Sequence, residues 1–303
     1  MAKHPIRYKQ NRLQQLRGFY YAAREKSISK AAERMGLSQP SVSLQIQALE
    51  RELKTTLFER RGPKIDLTPD GQLLMELAQP LVDGIDSLED DFIARRDQVD
   101  HGRVDLAAGG STILYVLPRF VEAFVKAYPG IELKIQNVTG RDGLALLREG
   151  EVDFAVGPLL DTPDDVVFYP ILSYEPVLIA PRDHPLATKE RVTLKDISKY
   201  PLILPPRHLS TWRIVESVFA QRGLKYEVKL EVGGWEVIKT YVELGLGISI
   251  VMSICITGDE NLAVIPVGKY FPNRTYGVVL RKGKVLSAQA KRFIGIMDPS
   301  IEL

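Results

Sequence analysis

The stretch that decides the fold of the N-terminal part of the chain is SKAAERMGLSQPSVSLQIQALE, residues 29–50. We expect Ser29 to cap a short helix over Lys30–Met35, whose two alanines would let another helix approach closely. Gly36 can adopt the left-handed conformation that ends a helix. Ser38 is a good N-cap for a second helix, which we expect to run to about Leu53. Two helices joined by so tight a turn predict a helix-turn-helix.

The segments around this motif extend it. Apolar residues at helical spacing predict an amphipathic helix over Asn11–Glu25, on which the two shorter helices would pack. The segment Leu57–Leu67 alternates apolar and polar residues around a Gly-Pro break, a pattern that indicates a small hairpin, or wing. We therefore expect a winged helix-turn-helix over residues 1–68.

A long helix is predicted to follow the wing. It begins at Pro69, a favoured first helical residue, and its apolar residues recur at steps of three or four, which predicts a helix over Pro69–Arg96. Such a stripe between two domains needs a partner, and a second copy of the same helix is the simplest one. The residues expected at this dimer interface are Leu74, Leu77, Leu81, Ile85, Leu88 and Phe92.

Charge and composition limit the possible classes of protein. A chain of 303 residues is long enough for two or three domains. Residues 1–66 carry fourteen Lys/Arg against six Asp/Glu, whereas the rest is mildly acidic, as expected when a phosphate-binding module precedes a separate body. The single cysteine, Cys255, excludes a disulfide framework or a thiolate metal cage within one chain. The charged N-terminus lacks a secretory apolar run, so we expect a cytoplasmic protein with no membrane partner.

From residue 103 onward the pattern changes to apolar strands that alternate with helices, which predicts an α/β domain with largely parallel strands. The strands expected are Val104–Ala108, Glu132–Val138, Val152–Val156, Pro176–Ala180, Leu202–Leu204, Val228–Val232, Ile248–Val251 and Tyr276–Leu280. The helices expected between them are Leu114–Tyr128, Gly143–Glu149, Thr211–Gln221, Trp235–Leu244 and Ser287–Ile296.

With these motifs in order, the chain resembles the LysR-type transcriptional regulators. Residues 29–50 are similar to that family's helix-turn-helix, and Leu57-Phe-Glu-Arg60 and Leu67-Thr-Pro-Asp-Gly71 to its wing and linker start. Further similar segments are Tyr128-Pro-Gly130, Asp183-His-Pro-Leu186 and Leu244-Gly-Leu-Gly-Ile248. Within the family, Tyr115–Pro118 and Val237–Val242 resemble the cysteine-biosynthesis regulators, whose Thr-rich pocket loop is partly preserved here as Gly109-Gly-Ser-Thr112.

This resemblance implies an organisation in three parts. A winged helix-turn-helix DNA-binding domain over 1–68 would be joined by a linker and dimerisation helix, 69–100, to an effector-binding domain, 101–303. The effector domain would have two α/β lobes, like a periplasmic binding protein, with ligand held between them. Lobe I would comprise about 103–172 and 284–303, and lobe II about 173–283.

Candidate DNA contacts lie on the second helix of the motif and around it. Polar residues that face away from the apolar stripe can bond to bases or phosphates, although the same pattern also suits a solvated helix face. Basic side chains nearby would contact phosphates and position the domain. The candidates are Ser38, Gln39, Pro40, Ser41, Ser43 and Gln45 on the helix, with Arg34, Arg60, Arg61 and Lys64 as basic contacts.

Candidate effector contacts follow the predicted strands. In Gly109-Gly-Ser-Thr112 the glycines let the backbone approach a ligand, and a helix start favours an anion or carboxylate. A turn of this composition can also serve only as a helix cap. The candidates are Gly110, Ser111, Thr112, Thr139, Ser210 and Thr211, with Arg141, Arg207 or Arg213 as possible counter-charges.

The sequence therefore predicts a ligand-responsive regulator that binds double-stranded DNA as a homodimer or a homotetramer. We do not expect an enzyme, because no paired acid and base or activated nucleophile stands out in the α/β part. We also expect no cofactor and no metal site, since the four histidines are widely scattered. The rival hypothesis is a cytoplasmic small-molecule-binding protein or enzyme with an accessory basic domain.

Overall fold

The structure is a computed structural model that describes residues 11–61, 64–86, 88, 92 and 101–303, with the backbone alone at 60, 61 and 64. The chain divides into an N-terminal unit, which ends before Asp100 and includes Gly283–Ala288, and a C-terminal unit, Asp100–Lys282 with Gln289–Leu303. Within the described residues, no helix has both the length and the apolar character needed to cross a membrane.

Three helices form the body of the N-terminal unit: α1 (Arg12–Glu25), α2 (Ile28–Arg34) and α3 (Gln39–Leu53). They enclose a core of small and apolar side chains, which comprises Phe19, Ala22, Ala31, Ala32, Val42, Ile46 and Leu49. Strands β1 (Phe58–Arg61) and β2 (Lys64–Leu67) pair antiparallel and form the wing. The predicted winged helix-turn-helix is confirmed.

The helix caps agree with the sequence at the turn but not at the start of α2. Gly36 has a φ of +64°, and the Ser38 hydroxyl accepts a hydrogen bond from the Ser41 amide, as predicted. The prediction that Ser29 is a cap is wrong, because Ser29 lies inside the helix. Ser27 has the extended backbone that a cap requires, and its Oγ accepts from the Lys30 amide at 3.3 Å.

The helix after the wing, α4, spans Pro69–Asp86. It begins directly after Thr68, whose hydroxyl accepts a hydrogen bond from the Gly71 amide at 2.9 Å. Its predicted continuation to Arg96 lies outside the described residues, apart from positions 88 and 92. Two tyrosines of α1 form hydrogen bonds to this helix: Tyr20 donates one to Asp83 at 2.6 Å, and Tyr21 donates one to Asp86.

The C-terminal unit contains two sheets and their helices. In chain order its elements are β3 (Gly102–Ala108), a π-helical turn (Thr112–Val116), α5 (Pro118–Ala127), β4 (Ile131–Asn137), α6 (Gly140–Glu149), β5 (Phe154–Pro158), β6 (Val166–Tyr174), β7 (Pro176–Pro181), α7 (Leu194–Ile197), β8 (Leu202–Leu204), α8 (Ser210–Gln221), β9 (Val228–Glu231), α9 (Trp235–Glu243), β10 (Ser249–Met252), a 3-10 turn (Ser253–Cys255), β11 (Leu262–Pro266), β12 (Arg274–Arg281) and α10 (Ala288–Met297).

The first sheet, which forms lobe I, has the strand order β4-β3-β5-β12-β6. The last helix, α10, joins this lobe as predicted, since its Phe293 packs on Phe124 of α5 and Phe154 of β5. Lobe II contains the sheet β10-β7-β11 and the parallel pair β8-β9. Its apolar core includes Leu202 of β8 and Phe219 of α8.

The prediction of largely parallel strands is wrong. Only β3 with β4, β3 with β5, and β8 with β9 pair parallel among the named strands, whereas β12 and the sheet around β7 pair antiparallel. The cause is that the chain passes from one lobe to the other and back. Strand β12 returns to lobe I and inserts between β5 and β6, so lobe II ends before Arg274 rather than at about 283.

Candidate functional site

The recognition helix α3 presents its first turn to solvent. Gln39 and Pro40 are exposed, and Ser38 and Ser41 join their hydroxyls by a hydrogen bond of 2.8 Å. Ser43 is half-buried. Leu44, which lies between the polar positions, is 61% exposed. Exposed side chains at the start of a recognition helix are those that can reach base edges in a major groove.

Gln45 does not share this outward face. Its Oε1 is buried, and a Cβ built on Gly18 of α1 would lie 2.7 Å from that atom. The reason is helical periodicity, because residue 45 follows buried Val42 by three positions and precedes buried Leu49 by four. The expectation that Gln45 faces away from the apolar stripe is therefore wrong.

The basic candidates have different surroundings. Arg34 forms an ion pair of 3.0 Å with Glu25, and its guanidinium lies over the Tyr21 ring at 5.2 Å. A DNA phosphate would therefore compete with an internal carboxylate for Arg34. The side chains of Arg60, Arg61 and Lys64 lie outside the described residues, although their backbone belongs to the wing.

The linker helix presents an apolar stripe to solvent. Leu77, Leu81, Ile85, Leu88 and Phe92 are all exposed, by 40% to 63%. The predicted member Leu74 differs, because it lies near the start of α4 and packs against the winged helix-turn-helix core. Leu73, which we did not predict, is 58% exposed and continues the stripe at a spacing of four residues.

The predicted effector loop lies at the carboxyl end of β3. The expected helix over Leu114–Tyr128 is interrupted: a π-helical turn over Thr112–Val116 precedes α5, which begins at Pro118. The Thr112 hydroxyl is buried and has no hydrogen-bond partner among the described residues. An unsatisfied buried hydroxyl is uncommon and indicates that a partner such as a ligand or water is missing.

The other predicted residues at this edge show less sign of binding a ligand. Thr139 caps α6, with its hydroxyl donating to Asp142 Oδ2 at 2.7 Å, and Arg141 is exposed in the same helix. A Cβ on Gly110 would lie 3.7 Å from both amide atoms of Asn137, an exposed residue that the sequence analysis missed. Thr139 thus serves as a helix cap.

On the lobe II side, Ser210 and Thr211 begin α8, and both bind one arginine that was not predicted. Arg274, the first residue of β12, donates a hydrogen bond from Nη1 to Thr211 Oγ1 at 2.8 Å and another from Nη2 to Ser210. The predicted counter-charges lie elsewhere: Arg207 lies over the Trp212 ring, and Arg213 is exposed.

Strand β12 also runs close to a hydroxyl of lobe I. Two residues beyond Arg274, the buried Tyr276 lies close to Ser111. Burial raises the pKa of Tyr276, whereas the nearby Arg274 charge and Ser111 lower it. Burial lowers the pKa of Arg274, a direction that indicates an environment poor in compensating negative charge. Ser111, Ser210 and Thr211 therefore all lie close to one short segment of β12, Arg274–Tyr276.

A second contact between the lobes involves a buried lysine. Lys239 of α9 forms ion pairs of 2.7 Å with Glu236 and Glu260 and donates to the Cys255 carbonyl at 2.8 Å. Tyr115, from the π-helical turn of lobe I, donates a hydrogen bond to Glu236. The Lys239 bond and backbone amides outweigh burial and lower the pKa of Glu260 to about 2.

Neither redox nor metal chemistry is supported at these residues. Burial raises the pKa of the Cys255 thiol to about 12, so the thiol stays protonated and unreactive. In the part of the chain that the structure describes, no three His, Cys, Asp or Glu side chains are grouped to hold a metal ion.

Known proteins with the same two parts match nearly the whole chain. Residues 13–72 match the family model described as bacterial regulatory helix-turn-helix protein, lysR family, and residues 97–299 match that of the LysR substrate binding domain. The transcriptional regulator SsuR of Burkholderia cenocepacia is 31% identical over 295 residues, 95% of each chain. The regulator CysB of the same organism is 30% identical over 282 residues, 91% of this chain and 89% of that protein.

A solved structure extends the likeness to three dimensions. A full-length OxyR variant from Pseudomonas aeruginosa, 24% identical, superposes with a TM-score of 0.68 over 96% of this chain and 97% of that one. At this identity the likeness supports the fold alone.

Proposed function

The chain belongs to the LysR family of bacterial transcriptional regulators, and from this premise we propose that a small anionic effector bound between its two C-terminal lobes controls its binding to double-stranded DNA. It is a DNA-binding regulator with an effector domain, and not an enzyme, because the relatives that it matches over 89% and 95% of their length are transcriptional regulators. We place it in the cytoplasm, where a bacterial regulator meets DNA. The rival enzyme or carrier hypothesis is not favoured.

One observation carries the proposed effector site. Hydroxyls from both lobes lie at the start of β12: Ser210 and Thr211 of lobe II accept hydrogen bonds from Arg274, and Ser111 of lobe I lies close to Tyr276. A ligand that bonds to this segment contacts both lobes at once and favours one arrangement of them over another. Hydrogen bonds to a charged acceptor contribute about 1.5–3 kcal/mol each, so a few suffice for a small ligand.

We propose that DNA binding uses the exposed first turn of α3. Gln39 can bond bidentately to adenine, and Ser41 and Ser43 can reach bases or phosphates. Pairing of two chains through the apolar stripe on α4 would present two recognition helices to successive major grooves of a partly palindromic site. The proposed phosphate contacts are the wing residues Arg60, Arg61 and Lys64. Arg34 could also contact a phosphate if its ion pair with Glu25 breaks.

The test of this DNA-binding mode is fluorescence anisotropy with the full chain, its own upstream DNA and a scrambled duplex. Gln39→Ala should cost about 1–3 kcal/mol on the cognate duplex and much less on the scrambled one, because the lost contact is to a base. Gln47→Ala, at an exposed position further along α3, is the matched control and should change neither affinity. Equal losses on both duplexes for Gln39→Ala contradict base recognition by this residue.

A further inference from the structure

Tyr115 belongs to lobe I by its backbone, but its side chain packs on lobe II. The backbone lies in the π-helical turn Thr112–Val116, which follows β3. The half-buried ring packs against a lobe II cluster that includes Trp235, Ile238 and Cys255. One side chain of lobe I therefore contributes to the apolar core of lobe II.

The Tyr115 hydroxyl donates its hydrogen bond to Glu236, near the start of α9. Glu236 also forms an ion pair with the buried Lys239, but Lys239 has a second carboxylate, Glu260, at the same distance of 2.7 Å. Two backbone amides of the loop after the 3-10 turn hold Glu260, whose side chain is only 10% exposed. Glu260 can therefore neutralise Lys239 within lobe II. Glu236, which is 54% exposed, is not needed for that charge balance and is available to a partner from lobe I.

The turn that carries Tyr115 is short and irregular. The Leu117 amide donates to the Thr112 carbonyl at 2.9 Å, five residues back, which is the π-helical pattern, and Pro118 has no N–H with which to continue it. Single π-helical turns are rare and occur mostly at functional sites. The buried Thr112 hydroxyl, three residues before Tyr115, has no partner among the described residues. The same turn thus carries a candidate ligand contact and a contact to lobe II.

We propose that Tyr115 is a positioning residue, whose hydrogen bond to Glu236 holds the turn that carries Thr112 against lobe II. We call this hydrogen bond the interlobe bond. Because Thr112 and Tyr115 share one short turn, a change in the contact to lobe II displaces the candidate ligand contact as well. The inference rests on the proposed function, since it concerns the turn of the proposed effector site, but its first test needs no ligand.

The test is hydrogen exchange of the full chain, without ligand or DNA, followed by mass spectrometry of residues 109–117. Glu236→Ala removes the acceptor at an exposed position of the other lobe, so folding is not at risk. Exchange of 109–117 should become about three- to tenfold faster, because a hydrogen bond to a partly solvated charge is lost. The control is Glu243→Ala, which removes an exposed carboxylate of α9 that accepts from the Asn261 amide within lobe II. It should leave the exchange of 109–117 unchanged.

Variants of the donor complete the test. Tyr115→Phe keeps the ring and should accelerate exchange of 109–117 by the same factor, whereas Tyr241→Phe, at a tyrosine of α9 that packs against the same cluster, should not. The double variant of Tyr115 and Glu236 should exchange no faster than either single one, because both changes remove one bond. Unchanged exchange in both single variants overturns the proposal. Additive effects in the double variant, or equal acceleration in the lobe I helix α10, also overturn it.

Failure of this inference is distinguishable from failure of the proposed function. Calorimetry with sodium sulfate, phosphate and acetate identifies the anion that binds the wild type most tightly, and the exchange is repeated at a saturating concentration of it. An anion that binds the turn should slow exchange of 109–117. Binding without such protection contradicts the proposed effector site and leaves the interlobe bond as measured without ligand. Conversely, protection by the anion, with exchange unchanged in Glu236→Ala and Tyr115→Phe, overturns the positioning role and leaves the proposed site intact.

Discussion

The apolar stripe on α4 gives the most quantitative prediction about assembly. Leu81 is 59% exposed in the single chain, and full burial of a leucine side chain contributes about 1.5–3 kcal/mol. A partner helix that covers the exposed part would therefore gain about 1–1.8 kcal/mol per copy. Each leucine occurs twice in a symmetric dimer, so Leu81→Ala should cost about 2–3.5 kcal/mol, which is about a thirty- to four-hundred-fold weaker dimer.

The assay is sedimentation equilibrium over a dilution series that spans the wild-type dissociation constant. Leu44→Ala is the matched control, because Leu44 is 61% exposed, lies in a helix of the same unit and is not on the stripe. Its substitution should leave the dimer unchanged. If Leu81→Ala dimerises like the wild type, or if both variants lose the same affinity, the α4 stripe is not the interface.

Two further predictions concern the C-terminal unit. The pKa of Glu260 is lowered to about 2, so the stability that its charge contributes should be complete above its ordinary pKa near 4.5 and be lost as the pH falls toward about 2. The difference in urea-unfolding free energy between wild type and Glu260→Gln should therefore shrink over that pH range. A difference that stays constant would contradict the Lys239 ion pair. Thr112→Val replaces a buried hydroxyl that lacks a partner among the described residues, so the ligand-free protein should gain about 1 kcal/mol of stability. The same variant should bind the anionic effector more weakly. A lower melting temperature would show that the hydroxyl is satisfied.

The helix-turn-helix could be predicted almost residue by residue because its signals are local. Gly36 and Ser38 determine the turn and the second cap through their own backbone and side chain. Ser27 and Ser29 are both residues that can cap a helix, and their sequence positions alone do not distinguish them, whereas the structure has Ser27 as the cap. Gln45 looked solvent-facing because it is polar, yet its spacing from Val42 and Leu49 places it against Gly18.

In the C-terminal unit, the strands that were missed or wrongly placed depend on long-range contacts. Strand β6 contains Pro170, which argues against a strand, but this residue lies opposite Gly277 at a β-bulge where a missing N–H is tolerated. Strand β12 follows lobe II in sequence and pairs with lobe I in space. Apolar periodicity gives neither the partner nor the direction of a strand, so the mixed sheet could not be predicted.

The same limit explains why Arg274 was missed. Ser210 and Thr211 follow a predicted strand, so their hydroxyls could be predicted, and the arginines close to them in the chain are Arg207 and Arg213. The arginine that binds them is more than sixty residues away. A lone charge at the start of the apolar strand Arg274–Arg281 was the available signal, although many strands begin with an exposed charge.

The central claim is that ligand binding between the lobes and DNA binding by the N-terminal unit are coupled. Coupling is reciprocal, so a ligand that changes the affinity for DNA has its own affinity changed by the same factor. The direct measurement is calorimetric titration of the small anion that binds most tightly into the free protein and into its complex with upstream DNA. We predict dissociation constants that differ about fivefold or more between the two titrations. Identical constants, with ligand bound in both, would contradict the claim.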